Sequence, residues 1–486
     1  MFKIQYNKAT MLHIGRNIFS LLVSRVLSAV ILFLVYTRLI QYLGPEAAGQ
    51  YGLLAAFLTV FSFFVDLGMQ QLVIKKVSEN RTEAGKYLAN YFGIQFILGF
   101  AFMLLMDAIV LFGNYPPLVK HALYITATGL LLSSLTMPFM AIINAFQRLS
   151  IIARVNFINA MINAGMMIAA ILMRRNIFFL AFIPAMVSIF DIIVYSYIVH
   201  KKFTSFKFSF DRIFLKQLLI WNTPFMLLTI FSIYNRIDTL ILPHLRGYIE
   251  NGYYTAVYKF WDTLAFVPAV VAASLYPYFA EKVPTGDLAE VKKVLITYTR
   301  YMVALAVPIT IGAYLLALRL TVSFFGQDFA PAAPALWLLV AAVSLLIVYV
   351  PVNALIISQR TKFAAMITGV NLAFNIGLNL LLIPKFGFVV AAVITLFSEL
   401  IQLIGYTFVV QTQIVSFPYF KNFIKPVIAG LVMGVIIYLL RAQNLWLLIA
   451  LGAVVYLASL AALRFFQKED QELLSASINF RKKFEV

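Results

Sequence analysis

The chain has no cysteine, four histidines and few charges: Asp, Glu, Lys and Arg make up 12% of its 486 residues. Without cysteine, a disulfide framework and a thiolate metal site are both excluded. His13, His121, His200 and His244 are scattered, with no ligand spacing between them. No Gly-x-x-x-x-Gly-Lys-Ser/Thr stretch occurs, so the chain hydrolyses no nucleotide by that route. Acids are scarcer than bases, 19 against 38, which leaves a formal net charge of +19. In a soluble protein that excess would suggest nucleic acid. Here 63% of residues are hydrophobic and the mean hydropathy is +0.92, more apolar surface than a soluble core absorbs and what a bilayer accommodates.

A helix that spans the hydrocarbon needs about 20 apolar residues. By that measure fourteen segments qualify: 13–40, 48–74, 87–112, 118–146, 152–173, 177–200, 216–242, 252–280, 291–317, 331–357, 363–383, 387–410, 422–440 and 444–466. Gly44-Pro45, Pro116-Pro117, Pro284 and Pro384 mark turns between them. The first segment carries Arg25 and Arg38 and reads as a retained spanning helix, not a cleaved signal. No connecting loop is long enough to form an extramembrane domain. With both termini inside, Lys and Arg divide 26 to the cytoplasmic segments and 6 to the outer loops (Arg174, Arg175, Arg246, Arg319, Lys385 and Arg441).

A repeat organises the segments. Gln147-Arg148, Asn159, Asn163 and Gly165 recur as Gln359-Arg360, Asn371, Asn375 and Gly377, each offset by 212 positions. Gly49-Gln50-Tyr51 echoes at Gly252-Tyr253-Tyr254, offset by 203. Both offsets shift the chain by six segments, an even number, so the halves run in the same direction through the membrane. The expected fold is all-α and integral to the membrane: two six-helix lobes, 1–206 and 207–415, related by a parallel repeat. Two accessory helices at 416–466 and a tail at 467–486, placed on the inner membrane surface, follow. The i, i+4 asparagines of each copy are expected to hydrogen-bond across helix interfaces, and Gly165 and Gly377 to let helices approach closely. The Gln-Arg pairs read as anchors in matching cytoplasmic turns.

Leu43-Gly44, Gly49-Gln50-Tyr51-Gly52, Asp66-Leu67-Gly68, Asn235-Arg236-Ile237-Asp238 and Gly252-Tyr253-Tyr254 together resemble the polysaccharide flippases of the multidrug/oligosaccharidyl-lipid/polysaccharide exporter superfamily. The resemblance spans nearly the whole chain on loose patterns. It implies a two-lobed, fourteen-helix flippase that moves an undecaprenyl-pyrophosphate-linked oligosaccharide, the repeat unit of a polysaccharide, from the inner to the outer leaflet by alternating access. It also implies a central cavity lined by segments 1, 2, 7 and 8, a lipid-tail groove bordered by the last two, and a prokaryotic cell membrane. Lipid-linked oligosaccharide, membrane lipids and polysaccharide polymerase machinery are the implied partners.

Charged side chains at mid-bilayer cost roughly 2.5–3.5 kcal/mol on insertion scales, so they face protein or water and nominate function. Arg25 lies about 12 Å deep in segment 1 at about 1.5 Å per residue. With Arg16 and Arg38 it makes that segment basic and acid-free, suited to a pyrophosphate, or it is neutralised by Asp66 on segment 2. Arg236 and Asp238 are two residues apart and cannot share a helix face, so one lines the cavity, with Arg236 favoured. Lys259 and Asp262 do share a face and can neutralise each other. The cavity candidates are Arg25, Arg38, Arg236, Lys259 and Arg300. Asp66, Asp238, Asp262 and Glu399 are candidate charge partners or sites for a coupling ion, H+ or Na+. Asp107 and Asp191 lie at comparable depth. Tyr51, Tyr253, Tyr254 and Tyr258 are available to stack on sugars. No cofactor is expected.

Two transporter alternatives remain: a peptidoglycan-precursor (lipid II) flippase and a cation-coupled multidrug antiporter. The antiporter plan has twelve helices and an N-lobe acid, against fourteen segments and an acid-free first helix here. A major-facilitator transporter would carry a Gly-x-x-x-Asp-Arg-type loop, which the stretch from Lys75 to Lys86 lacks. A membrane glycosyltransferase or polymerase would need a large outer loop with catalytic acids. The outer loops here are short and hold Glu46, Glu250 and Asp328 in isolation, so the chain reads as a non-enzyme.

Overall fold

The structure is a computed structural model. It describes residues 8–204 and 234–466, with residues 214, 217, 218, 220–222 and 226 between them. The side chains of residues 8–26, 234 and 235 lie outside the description, as do residues 1–7 and 467–486. The tail expected on the membrane surface therefore falls outside the described residues.

Every regular element described is helical, as a bilayer requires, because an α-helix satisfies its own backbone hydrogen bonds within one segment. The elements are α1 (Lys8–Asp66), α2 (Met69–Glu79), α3 (Ala84–Phe112), α4 (Pro117–Ala145), α5 (Leu149–Leu172), α6 (Ile177–Lys202) and α7 (Tyr234–Leu264). They continue with α8 (Phe266–Lys282), α9 (Leu288–Phe325), α10 (Ala333–Gln359), α11 (Thr361–Phe386), α12 (Phe388–Gln413), α13 (Ile424–Leu439) and α14 (Leu445–Ala462). Two of these are bent. Gly44 (φ 70°, ψ 173°) divides α1 into limbs 8–43 and 45–66, and Gly247 (φ 82°, ψ −179°) divides α7 into limbs 234–246 and 248–264. Both glycines sit in a region essentially closed to residues with a Cβ. With the bends counted as boundaries, thirteen of the fourteen apolar segments fall on described helices, the continuous description of segment 7 begins at Tyr234, and segments 2 and 8 are each drawn out over two elements. Segment 2 breaks at Leu67 (φ 48°) and Gly68 (φ 77°), so Asp66-Leu67-Gly68 is a helix junction and does not lie within one continuous helix.

The chain forms two compact units. Unit 1 comprises residues 1–259, 324–329 and 368–391. In it α4 packs on α6 and α3, and α1 on α5. One cluster of buried side chains centres on Tyr91, Ile142 and Tyr195, and another on Leu53, Val119 and Leu123. Tyr115, in the α3–α4 turn, donates to His244 Nε2 at 2.8 Å, while His244 Nδ1 donates to the Leu240 carbonyl. Unit 2 comprises residues 260–323, 330–367 and 392–486. There α10 packs on α8, and α13 on α14. Its two clusters centre on Phe279, Ile347 and Leu355, and on Met433, Leu448 and Tyr456. Large apolar side chains such as Phe112 and Phe408 point outward, as a lipid-facing surface demands.

Gly165 and Gly377, expected at close helix contacts, instead have open space where a Cβ would stand. Close approach is made by other glycines, described next.

Candidate substrate-binding site

Within unit 1 the second limbs of α1 and α7 meet backbone to backbone. A Cβ on Gly49 would overlap the Tyr248 carbonyl oxygen, and a Cβ on Gly252 would overlap that of Pro45. The two contacts are one contact seen from each repeat, since 49 maps to 252 and 45 to 248 at the offset of 203. Asn251 closes the seam by donating its side-chain amide to the Gly49 carbonyl at 2.7 Å. A turn further on, a Cβ at Gly52 would collide with the Thr255 side chain. Two small residues thus bring these limbs closer than ordinary side-chain packing permits.

That seam sets residues 254–259 of α7 against the first limb of α1. Tyr36 reaches the Thr255 carbonyl at 3.5 Å, and the Lys259 ammonium stands 4.9 Å from the centre of the Tyr36 ring. One residue earlier, Tyr258 carries the Arg236 guanidinium 4.5 Å above its ring. Tyr254, one turn before Tyr258, donates its hydroxyl to Asp238 Oδ2, and Asp238 Oδ1 accepts from the Thr239 amide at 2.7 Å. Arg236 and Asp238, which cannot share a face of their own helix, are thus both received by tyrosines of the facing limb, one turn apart. Lys259 and Arg236 are half-buried and Asp238 is buried. Each cation rests on an aromatic face, a contact worth about 0.5–2 kcal/mol depending on desolvation.

The other predicted residues fall elsewhere. Arg25 lies on the first limb of α1, and its side chain is outside the described residues, as is any pairing with Asp66. Arg38 is exposed on the same limb and donates to Gln41 Oε1 at 3.0 Å. Asp66 ends α1, accepting from the Tyr91 hydroxyl at 2.8 Å and from the Gln70 amide at 3.2 Å, so it organises the α1–α2 junction. In unit 2, Arg300 is buried with its guanidinium 5.2 Å from the Tyr301 ring and 5.5 Å from that of Phe465. Glu399 is fully buried and accepts from the Tyr349 hydroxyl at 2.6 Å. Asp262, half-buried, also belongs to unit 2. Glu250, read as isolated, accepts from Arg246 at 2.8 Å and from the Phe388 amide at 3.0 Å, tying α7 to the start of α12.

Sequence reasoning missed the tyrosines. Tyr36, Tyr91, Tyr254, Tyr258 and Tyr349 each receive one of the intramembrane charges. Tyr254 and Tyr258 are buried in that role and not open to stack on sugars, and Tyr253 packs on Phe329 and Phe388. A readable signal existed for Tyr36: it follows Arg25 by 11 residues, about three helical turns, on the same face of the limb. Among the described residues, no group of three or more His, Cys, Asp or Glu is placed to hold a metal ion.

The profile of the polysaccharide biosynthesis protein family matches residues 14–283. No curated protein sequence matches the chain. Among solved structures, the lipid II flippase MurJ in an inward closed conformation has a TM-score of 0.77 at 17% identity, over 91% of this chain and 98% of that one. An inward-facing multidrug resistance MATE family transporter of the MOP superfamily scores 0.56 at 13% identity, over 78% and 93%. A MOP superfamily transporter from Pyrococcus furiosus scores 0.52 at 14% identity, over 89% and 97%. The fold is one shared with these solved transporters, and the chain is a multi-pass membrane protein. With the profile covering more than half its length, the chain belongs to the polysaccharide biosynthesis protein family.

Proposed function

We propose that the chain flips an undecaprenyl-pyrophosphate-linked oligosaccharide, a polysaccharide repeat unit, from the inner to the outer leaflet by alternating access of lobes 1–206 and 207–415. The observation that carries this reading is the convergence of Lys259 and Arg236 on tyrosine faces beside the first limb of α1, in a chain of this family. The pyrophosphate displaces aromatic contacts with charge-assisted hydrogen bonds, for which guanidinium and ammonium groups are suited. Arg25, in helical register with Tyr36, is the first anion ligand, with Arg236 and Lys259 assisting and Arg38 and Arg300 at further positions. The prenyl tail stays in lipid, bordered by the accessory helices within 416–466, while the glycan crosses the cavity.

Asp66, Asp238, Asp262 and Glu399 balance these cations or take part in coupling to H+ or Na+, and no cofactor is required. The protein resides in a prokaryotic cell membrane with both termini cytoplasmic, supported by the division of Lys and Arg between its loops. There it hands its product to polymerase machinery. A lipid II flippase is the second reading, favoured by the similarity to MurJ, and a cation-coupled multidrug antiporter the third, favoured by the similarity to MATE transporters.

The test is leaflet exposure of an undecaprenyl-pyrophosphate-linked glycan in proteoliposomes, for the unmodified chain, Arg25→Ala and Lys259→Ala, with lipid II and a cationic dye as alternative cargoes. Glycan transfer that falls with both substitutions supports the proposal. Transfer of lipid II alone, or gradient-driven dye movement alone, selects the second or third reading.

A further inference from the structure

Asp191 lies midway along α6, within the hydrocarbon span, and among the described residues it enters no ion pair. Its hydrogen-bond partner is Asn159 of α5, whose side-chain N–H2 donates to Oδ1 at 2.9 Å and to Oδ2 at 3.1 Å. Two polar atoms beside this pair are buried and, among the described residues, have no hydrogen-bond partner: the Asn159 side-chain carbonyl oxygen Oδ1 and the hydroxyl of Tyr195, which is fully buried one turn beyond Asp191 on the same face of α6. A carboxylate, a forked amide and two unsatisfied polar groups in a bilayer-spanning bundle are costly unless a further state satisfies them.

The geometry points to Asp191 as a proton-binding site, with Asn159 as the group that receives the bound proton. In the ionised form the carboxylate accepts both N–H bonds of the amide, and Asn159 Oδ1 is left over. When a proton joins one carboxyl oxygen, that O–H becomes a donor. Reorientation of the Asn159 amide then closes a ring of two hydrogen bonds, carboxyl O–H to amide oxygen and amide N–H to carboxyl oxygen. The leftover acceptor is used, and no net charge remains in the low-dielectric interior. Tyr195 is the spare donor for the ionised form.

The neighbouring elements supply no counter-cation to Asp191 among the described residues. On α5, Arg154 is exposed, five residues before Asn159. On α4, Lys120, His121 and Tyr124 lie in the first two turns, well before the midpoint of the helix. On α1, Tyr36 and Arg38 are engaged as described, Tyr42 donates to the Arg175 carbonyl, and Asp66 holds Tyr91. Tyr51 packs on Tyr36, and the side chains of Arg16 and Arg25 are outside the described residues. On α6 itself, His200, Lys201 and Lys202 occupy the last turn.

The test is infrared spectroscopy of the full chain in lipid nanodiscs, titrated from acid to alkaline pH with Asp191→Asn as reference. A protonated-carboxyl stretch present at neutral pH and lost in Asp191→Asn is the expected result. Its disappearance should move to higher pH in Tyr195→Phe and further in Asn159→Leu, since each removes a donor to the ionised form. A carboxyl stretch unchanged by Asp191→Asn at every pH overturns the proposal, as does a stretch abolished by sodium at constant pH. An ionised Asp191 held by Arg25 would give the first of these results. A role for this proton in coupling rests on the transport reading above and predicts that glycan flipping by Asp191→Asn loses its response to a pH gradient. Absence of flipping in every variant would remove that reading while leaving the infrared result standing.

Discussion

The two copies of the internal repeat agree in backbone and disagree in side chains. Gly44 and Gly247 adopt the same rare conformation, and Gly49 and Gly252 make reciprocal contacts, all at the 203 offset. The repeated asparagines diverge. Asn159 grips Asp191 of the adjacent helix, and the Asn163 side-chain amide donates to the Asn159 backbone carbonyl at 2.8 Å. In the second copy Asn375 accepts from Asn379 at 2.8 Å, while both polar atoms of Asn371 are buried and, among the described residues, have no hydrogen-bond partner. Duplication has preserved what bends and joins the helices and left their polar insets to specialise. The reason is steric: a glycine seam admits no alternative residue, whereas a buried amide can exchange partners as neighbours change.

Four outcomes would break or sharpen that contrast. The largest effect is expected from Gly49→Val and Gly252→Val, which place a side chain into a facing carbonyl. Each should lose more than about 3 kcal/mol, so that little folded protein survives detergent thermal melts, and the two losses should match. A tolerated substitution in one copy alone would show that the seam is not symmetric. Gly44→Ala and Gly247→Ala should follow, each costing roughly 1–3 kcal/mol through strain, whereas Gly165→Ala and Gly377→Ala should be neutral or stabilising by up to about 1 kcal/mol.

Third, Asn159→Leu should lower the melting temperature by leaving Asp191 without its donor. Asn371→Leu should raise it by removing an unsatisfied amide, each effect being about 1–2 kcal/mol. Equal responses would mean that the two insets do the same work. The smallest effect on stability, under about 1 kcal/mol, is expected from Lys259→Ala, yet glycan flipping should drop by about tenfold as one charge-assisted contact is lost. Arg300→Ala, packed on Phe465 in unit 2, should instead perturb the melt more than transport.

Much of the fold was readable in advance. The fourteen apolar segments, the all-α class and the six-segment repeat followed from hydropathy and constant offsets. Gly44 was read as a turn, whereas the matching bend at Gly247 was not, although it sits at the same offset as the Gly49 and Gly252 pair. Of the candidate site, the residue types were legible and the partners were not. Arg236, Asp238 and Lys259 stood out as charges in apolar helices, but the tyrosines that receive them were hidden among 25 tyrosines with no local mark. Expectations built on spacing alone erred where three dimensions intervened: Gly165 and Gly377 face open space, Glu250 is engaged, and Asp66 ends a helix.

By itself, the sequence determined that this chain is all-helical and lives in a bilayer. Those properties depend on local hydrophobicity and on a backbone that must satisfy its own hydrogen bonds in lipid. Only the tertiary structure decided which charges meet which tyrosines, where the limbs touch and which amides have partners. Such contacts join residues as far apart as Tyr36 and Lys259, and depend on how two bent helices cross.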